Sequence, residues 1–250
     1  MGELDYQEVE NTLKRWLINK VEEAGAEGAV IGLSGGIDSA VTAVLAKKAF
    51  NNNTLGVILP CYSNKDDKED AELLAEKFDI NYISRDLSSI YDDFLDLLDS
   101  SSREAENKDD MALANIKPRL RMTTLYYYAA KNNFLVVGTD NWSELKLGYF
   151  TKYGDGGVDL APLGRLVKTE VRRLAEHLDI PKKIINKKPS AGLWNGQTDE
   201  KEMGVSYDEV DHYILTGEAT EEARRRIDEL ATKNAHKTEA IPIPERQILL

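Results

Sequence analysis

The sequence predicts an α/β fold: a doubly wound parallel sheet of about five strands, flanked by helices. Three observations carry this. Strand-like segments recur as "GAVIGL" (28–33), "TLGVILP" (54–60), "INYIS" (80–84) and "NFLVVG" (133–138), and a short continuous apolar run such as "GAVIGL" is typical of a strand buried on both faces. Segments with helical spacing separate the runs, as parallel neighbours require, because a parallel pair needs a crossover connection. No internal repeat, low-complexity tract or linker divides the 250 residues, so a single domain over 1–250 is expected.

Residues 5–24 read as an amphipathic helix, with Val9, Leu13, Trp16, Leu17 and Val21 at helical spacing. The first strand, 28–33, runs into a helix over 37–50 that turns Ile37, Val41, Val44 and Leu45 inward. A second strand at 54–60 precedes a charged helix over 65–78, and a third at 80–84 precedes a helix over 88–99. "SSSREAENKDD" (100–110) is polar and turn-rich and reads as an exposed loop. Residues 111–131 are helical in pattern, but Pro118 has no amide to donate, which puts a break or restart just before it. A fourth strand covers 133–138, and "VDLAPL" (158–163) forms a short fifth. Two helices, near 206–216 and 218–235, pack on the core or close the substrate site, and "IPIPERQILL" is an extended tail.

The bulk composition is that of a soluble globular protein, with 42% hydrophobic and 30% charged residues. A net charge of −12 argues against a broad nucleic-acid footprint, because phosphate binding needs a basic face, while leaving room for a local basic pocket. Cys61 is the only cysteine, which excludes an intramolecular disulfide and fits a reducing compartment. It reads as a buried or loop-structural thiol. The opening "MGELDYQEVE" lacks the apolar core of a signal peptide, and no apolar run approaches the ~18 residues of a membrane span. The expectation is a cytoplasmic protein without a membrane partner.

Chemistry concentrates in "VIGLSGGIDSAV" (30–41). A helix that starts just past the carboxyl end of a strand lies where open α/β folds bind ligands. Its unpaired amides and dipole favour an anion, and Gly35 and Gly36 let backbone approach one without a Cβ in the way. Ser34 and Ser39 add hydroxyls. The plainer roles are also open: Asp38 as a first-turn acid that suits the dipole, and Ser34 as an N-cap. The pattern is neither G-x-x-x-x-G-K-[ST] nor G-x-G-x-x-G.

"SGGIDS" resembles the pyrophosphate-binding loop of the ATP pyrophosphatase superfamily, whose members split ATP between the α- and β-phosphates and adenylate an oxygen of their substrate. Further blocks narrow the likeness: "NIKPRLRM" (115–122), "VVGTDNWSELKLGYFTKYGDGGVDLAPL" (136–163), "KPSAGLWNGQTDEKEMGVSYDEVD" (188–211) and "HK" (236–237). Together they resemble ammonia-dependent NAD synthetases from about residue 10 to 245. The resemblance implies a Rossmann-like sheet of the adenine nucleotide alpha-hydrolase kind.

It also implies roles. Gly32, Ser34, Gly35, Gly36, Asp38 and Ser39 would hold the ATP phosphates, with Thr139, Lys168 and Ser190 also on ATP. Ser190 stands where many members have threonine, and the hydroxyl is kept. Asp38 and Glu144 would ligate Mg²⁺. Arg119, Lys152, Asp159, His236 and Lys237 would hold deamido-NAD, and Asp155 in "KYGDGG" would orient ammonia. The residues themselves agree with most of this: Thr139 and Asp140 follow the fourth strand and emerge at the same sheet edge as Ser34, Glu144 one turn on can then face Asp38, and paired carboxylates suit a hard, partly hydrated cation. Read without the motif, Glu144 is a solvated helix acid, the lysines are surface solubility residues and "GDGG" is a plain turn. "LYYYAA" (125–130) is helix-face packing or part of a subunit contact, since the family forms homodimers with deamido-NAD near the interface. Arg121 is a neighbour of the site or an interface residue. "SAGLWNGQTDEKEMG" (190–204) has no hydrophobic period and reads as a mobile lid, in which Trp194 is an anchor or an ordinary buried aromatic.

The implied reaction is attack by the nicotinate carboxylate of deamido-NAD on the α-phosphate of ATP, then displacement of AMP by ammonia. Catalytic roles would fall to Asp38, Glu144, Lys168 and Asp155. The chain leaves no length for a glutaminase domain, so free ammonia is the expected nitrogen source. Two other readings compete: a GMP synthetase-like or tRNA-modifying ligase of the same superfamily, and a sensor that binds ATP without adenylating anything.

Overall fold

Four parallel strands form the sheet in the order β3-β2-β1-β4. They are β1 (Gly28–Gly32), β2 (Thr54–Ile58), β3 (Asn81–Ser84) and β4 (Phe134–Val136). The structure is a computed structural model and describes residues 4–98, 111–190 and 198–246. Val30 lies opposite Leu55 on one side and Val136 on the other, which fixes the register of the central strand.

The helices follow from packing on both faces. Ala29 and Ile31 of β1 point into one apolar cluster with α1 (Tyr6–Glu23), α2 (Ile37–Phe50), α3 (Lys65–Lys77), α8 (Lys168–His177) and α9 (Lys182–Ile185). Val30, Val57 and Val136 point to the opposite face, under α4 (Ser88–Leu98) and α6 (Ile116–Asn132). Strand side chains alternate between faces, so both registers must be apolar here. Val30 and Ile31 are fully buried, each contributing about 1.5–3 kcal/mol relative to exposure.

A third cluster joins α7 (Trp142–Leu147), α10 (Asp199–Met203), α11 (Tyr207–Thr216) and α12 (Glu221–Thr238) around Leu147, Met203, Val210 and Ile227. The carboxyl-terminal helices therefore pack beside the sheet's β4 edge. Arg226 Nε donates to Met203 O at 2.6 Å, and Asn234 Nδ2 to Leu147 O at 2.9 Å, tying α12 to that group.

Several expectations are corrected. The fifth strand shrinks to one parallel bridge, Val137 with Leu160, so the sheet has four strands rather than about five. Pro162 has no amide with which to extend a ladder, and the Asp159 carboxylate takes the Val136 amide at 2.8 Å in place of a backbone partner. As expected, the 111–131 helix breaks just before Pro118: the interruption is at Asn115, between α5 (Met111–Ala114) and α6, with Pro118 in the first turn of α6, where its missing amide costs nothing. The segment read as an aperiodic lid contains α10, whose Asp199 and Met203, four residues apart, are both buried. Residues 191–197 of that segment, with Trp194, lie outside the described residues, as does the 100–110 loop. Among the described residues, 241–245 form no helix or strand, and no helix is long and apolar enough to cross a membrane.

In this strand order the chain leaves β1 on one side and reaches β4 on the other. The switch point lies at their carboxyl ends, where a crevice is expected.

Candidate active site

That crevice is a cleft of about 570 Å³. On one wall α2 begins without a side-chain cap: its N-cap is Gly36. Ser34 Oγ instead accepts from Gly36 N at 3.3 Å and donates to Ser39 Oγ at 3.0 Å, while Ser39 Oγ donates to Gly36 O at 2.9 Å. The two serines thus brace the turn from within. Gly35 has φ +78°, and a Cβ there would lie 2.2 Å from the Asp67 carbonyl oxygen. Glycine is required on both counts. Lys187 Nζ lies 2.6 Å from Asp67 Oδ1, 2.7 Å from Asp70 Oδ2 and 3.5 Å from Gly35 O, so a cation backs the turn.

Opposite α2, the residues after β4 bring in α7. Asn141 and Glu144 form a reciprocal capping box, with Glu144 N donating to Asn141 Oδ1 at 3.1 Å and Asn141 N to Glu144 Oε2 at 3.2 Å. Asn141 Nδ2 then donates to Asp38 Oδ1 at 2.9 Å, which joins the two helix starts. Lys168, the first residue of α8, puts its ammonium between the acids, 2.5 Å from Asp38 Oδ2 and 3.1 Å from Glu144 Oε1. Burial would lower the Lys168 pKa, but the two carboxylates overcome that and hold it above the usual lysine range. Burial pushes Glu144 up to about 7 against the pull of Lys168, with Asp38 adding repulsion.

Asp140, beside Asn141, is 7% exposed, and its carboxyl makes no hydrogen bond to any described residue. Burial, and then the charges of Asp155, Glu144 and Asp38, raise its pKa well above the carboxylate range. A buried acid without a partner on the wall of a cleft is set to receive one from a ligand.

The far end of the cleft is basic. Arg119 Nη2 donates to Lys152 O at 3.5 Å, Lys152 Nζ donates to His236 O, and Lys237 Nζ donates to Gly148 O and Phe150 O at 2.8 Å each. Thr139, Asp155 and Ser190 also line the cleft, along with Gly32, Ser34, Gly36, Asp38, Ser39, Glu144 and Lys168. Two of the residues named from the sequence do not: Gly35, which acts through the backbone turn, and Asp159. The Asp159 carboxylate is engaged at the sheet edge by Val136 N and by the Tyr126 hydroxyl at 3.0 Å.

Sequence reasoning placed Asp140 at the right sheet edge without giving it a role, missed Asn141 and Lys187, and left Arg121 undecided. Arg121 lines the cleft and donates to Leu59 O at 3.0 Å and Ser63 Oγ at 3.2 Å. Asn141 carried a readable signal, since N-W-S-E has the spacing of a capping box. Lys187 carried none, because its partners lie 117 and 120 positions away.

Asp38 and Glu144 bring hard oxygen donors to one point, the donor chemistry a divalent cation of the Mg²⁺ kind takes, while the Lys168 ammonium they share competes for the same oxygens. Among the described residues no three His, Cys, Asp or Glu side chains gather into a fuller cation site. Two protein oxygens leave most of the shell to phosphate and water, as Mg²⁺ prefers.

The sequence profile of the family described as NAD synthase matches residues 9–242. The NH₃-dependent NAD⁺ synthetase of Carboxydothermus hydrogenoformans is 50% identical over 241 residues, covering 96% of this chain and 98% of that one. Among solved structures, an NMN synthetase from Francisella tularensis superposes with a TM-score of 0.90 at 40% identity, over 97% of this chain and 99% of that one. An NH₃-dependent NAD synthetase from Campylobacter jejuni, in complex with nitrate, gives 0.78 at 33% identity over 97% and 100%.

Proposed function

The chain belongs to the NAD synthase family, and from that premise we propose that it amidates deamido-NAD to NAD⁺ with ammonia, consuming ATP and releasing AMP and pyrophosphate. The readings as a GMP synthetase, a tRNA-modifying ligase or a non-catalytic sensor are set aside by that membership. One observation carries the site assignment: the Lys168 ammonium sits between Asp38 and Glu144 beside the uncapped start of α2. That arrangement suits a triphosphate and its cation.

A carboxylate resists ammonia because its charge repels the nucleophile and oxide leaves poorly. Adenylation removes both obstacles. The nicotinate carboxylate attacks the α-phosphorus of ATP, and the bond to the bridging oxygen of the β-phosphate breaks. The α2 amides, Ser34, Ser39 and Lys168 would hold the departing pyrophosphate, fixed donors being the larger catalytic contribution. Mg²⁺, held by Asp38 and Glu144, would supply Lewis-acid charge neutralisation. Thr139 and Ser190 would contact ATP. Arg119, Lys152, His236 and Lys237 would hold the dinucleotide by charge-assisted hydrogen bonds, with Asp159 acting at the sheet edge. Ammonia then adds to the acyl-adenylate and AMP leaves. Asp155, with Asp140 near it, would present carboxyl oxygens that can accept from ammonium, which must shed a proton before it attacks.

We also propose a cytoplasmic homodimer with the dinucleotide bound near the subunit contact. In support, α4 turns Ile90, Phe94, Leu97 and Leu98 outward at helical spacing, with Leu97 78% exposed, an apolar stripe that a monomer has no use for. A second reading of the acceptor is nicotinate mononucleotide, favoured by the close superposition on the NMN synthetase.

The deciding experiment incubates the protein with ATP, Mg²⁺ and ammonium chloride plus either acid, and quantifies amide, AMP and pyrophosphate together. Equal yields of NAD⁺, AMP and pyrophosphate support the proposal. ADP and orthophosphate would refute it, and faster turnover of the mononucleotide would transfer it to the second reading.

A further inference from the structure

We infer that α11 is a clamp for the Lys168–Glu144 pair, with Tyr207 and Asp211 as positioning residues. The inference rests on the reading of that pair as the reactive centre. Residues four apart on a helix share a face, and this face of α11 meets both members of the pair. Tyr207, 4% exposed, has its hydroxyl 3.1 Å from Glu144 Oε1 and 3.0 Å from Asp199 Oδ2. Its ring lies under the Lys168 ammonium, with Nζ 4.8 Å from the ring centre. The hydroxyl therefore fixes one oxygen of Glu144 while the ring face steadies the cation that Glu144 shares.

Asp211, one turn on and 2% exposed, does the same for the backbone. Its Oδ1 accepts from Ser143 Oγ at 2.5 Å and from Lys168 N at 3.3 Å, and its Oδ2 accepts from Thr169 N at 2.7 Å. The N-cap of α8 is Val167, which has no side chain for the purpose. Asp211 supplies the missing carboxylate from another helix, satisfying the orphan amides and suiting the dipole. Because Ser143 precedes Glu144, one buried carboxylate locks the starts of α7 and α8 together. A buried acid with three donors and no contact with the cleft has no task in binding substrate. Its effect passes through Lys168 and Glu144.

The clamp also reaches the segment after residue 197. Asp199, the first residue of α10, accepts from the hydroxyls of both Tyr207 and Tyr149, the latter at 3.2 Å, so the orientation of Glu144 is tied to the seating of α10.

Two variants test this, with Tyr213→Phe on the same helix as control, since its hydroxyl meets only Asp228 at 3.4 Å. Tyr207→Phe should lower kcat at least tenfold, leave KM for deamido-NAD within twofold and keep the melting temperature within a few degrees. Asp211→Asn should speed amide exchange of Lys168 and Thr169 at least tenfold by mass spectrometry, with no ligand present. Unchanged kcat in Tyr207→Phe, a loss shared by Tyr213→Phe, or unchanged exchange in Asp211→Asn overturns the clamp. If the unaltered protein makes no NAD⁺, the functional reading fails, and the exchange measurement still decides whether α11 holds α8.

Discussion

Lys168 Nζ lies 2.5 Å from Asp38 Oδ2, although the two residues are 130 positions apart and start different helices. The contact closes the cleft across the switch point of the sheet. It also places one positive charge where two carboxylates would otherwise repel each other in a poorly hydrated space.

Removing that charge should cost both chemistry and stability. Lys168→Met leaves Asp38 and Glu144 without their shared countercharge, held only by neutral donors, a change worth up to about 3–5 kcal/mol on the scale of a broken buried ion pair. Turnover should fall by roughly 10²–10³, the scale of losing a fixed donor to developing charge. Without the ammonium Glu144 loses the interaction that opposes its burial and favours the protonated form further, so stability should recover on acidification. Thermal melting at pH 8 and pH 5.5 reads this directly, and a loss that is equal at both would contradict the assigned charges.

Glu144→Gln should separate activity from stability. The Glu144 carboxyl is raised from 4.5 to about 7, chiefly by burial. Between those values the folded state holds a proton that the unfolded chain has lost, so unfolding free energy falls as pH rises through that window. A neutral glutamine escapes the penalty and can still accept from Tyr207. The variant should therefore melt higher than the native protein at pH 8, the gap closing near pH 4.5, while kcat drops by orders of magnitude at every pH. A variant that melts lower at pH 8 would count against the burial argument.

Much of this was legible before any coordinates. Apolar runs located β1, β2 and β4, and β1 most plainly, because a strand buried on both faces has no polar register to disguise it, whereas the edge strand β3 leaves Asn81 and Tyr82 exposed. The start of α2 was legible because an apolar run stops at Leu33, two glycines follow, and a helical pattern opens directly after them. What escaped were short elements and distant partners. The helices α7, α9 and α10 have four to six residues, too few for a period to emerge. In α8 the signal was present, with Val171, Leu174 and Ala175 at helical spacing, yet it went unread beside the motif. Asp159 shows the opposite failure: a motif position placed it on the dinucleotide, but its carboxylate also caps the sheet edge, which no local pattern announces.

Gly35→Ala tests the turn. The φ of +78° strains any side chain, and the new Cβ would meet the Asp67 carbonyl oxygen at 2.2 Å, so the backbone must move. A destabilisation of about 1–3 kcal/mol is expected from the conformation alone. ATP affinity should fall more than tenfold by calorimetry, while the acceptor's own binding holds. Unaltered ATP affinity would mean that the turn is not the phosphate seat.

Asp140→Asn addresses the nitrogen substrate. The buried carboxyl without a protein partner favours its neutral form, and asparagine supplies a neutral group of the same shape, so the variant should be more stable than the native protein at pH 8. If Asp140 helps to seat ammonium, KM for ammonium rises about tenfold, the scale of a charge-assisted hydrogen bond, and KM for ATP stays within twofold. Steady-state kinetics with each substrate varied in turn distinguishes this from a general loss of site integrity, in which all three constants would rise together.

The exposed face of α4 supplies the last expectation. Ile90, Phe94, Leu97 and Leu98 recur at intervals of four, three and one, which places them along a single stripe, and Tyr127 of α6 is 59% exposed as well. Burying Leu97 against a second copy would contribute roughly 1.5–3 kcal/mol per subunit, and a charge there would instead be trapped in the contact. Leu97→Glu should therefore convert a dimer into a monomer in sedimentation velocity at micromolar concentration, with helix content and melting of the monomer retained, since Leu97 makes no part of any of the three core clusters. If the dinucleotide sits near that contact and ATP at the switch point, KM for deamido-NAD should rise with dissociation while KM for ATP does not. A native protein that sediments as a monomer would remove the stripe's role, and a dimer unaffected by Leu97→Glu would move the interface to another face.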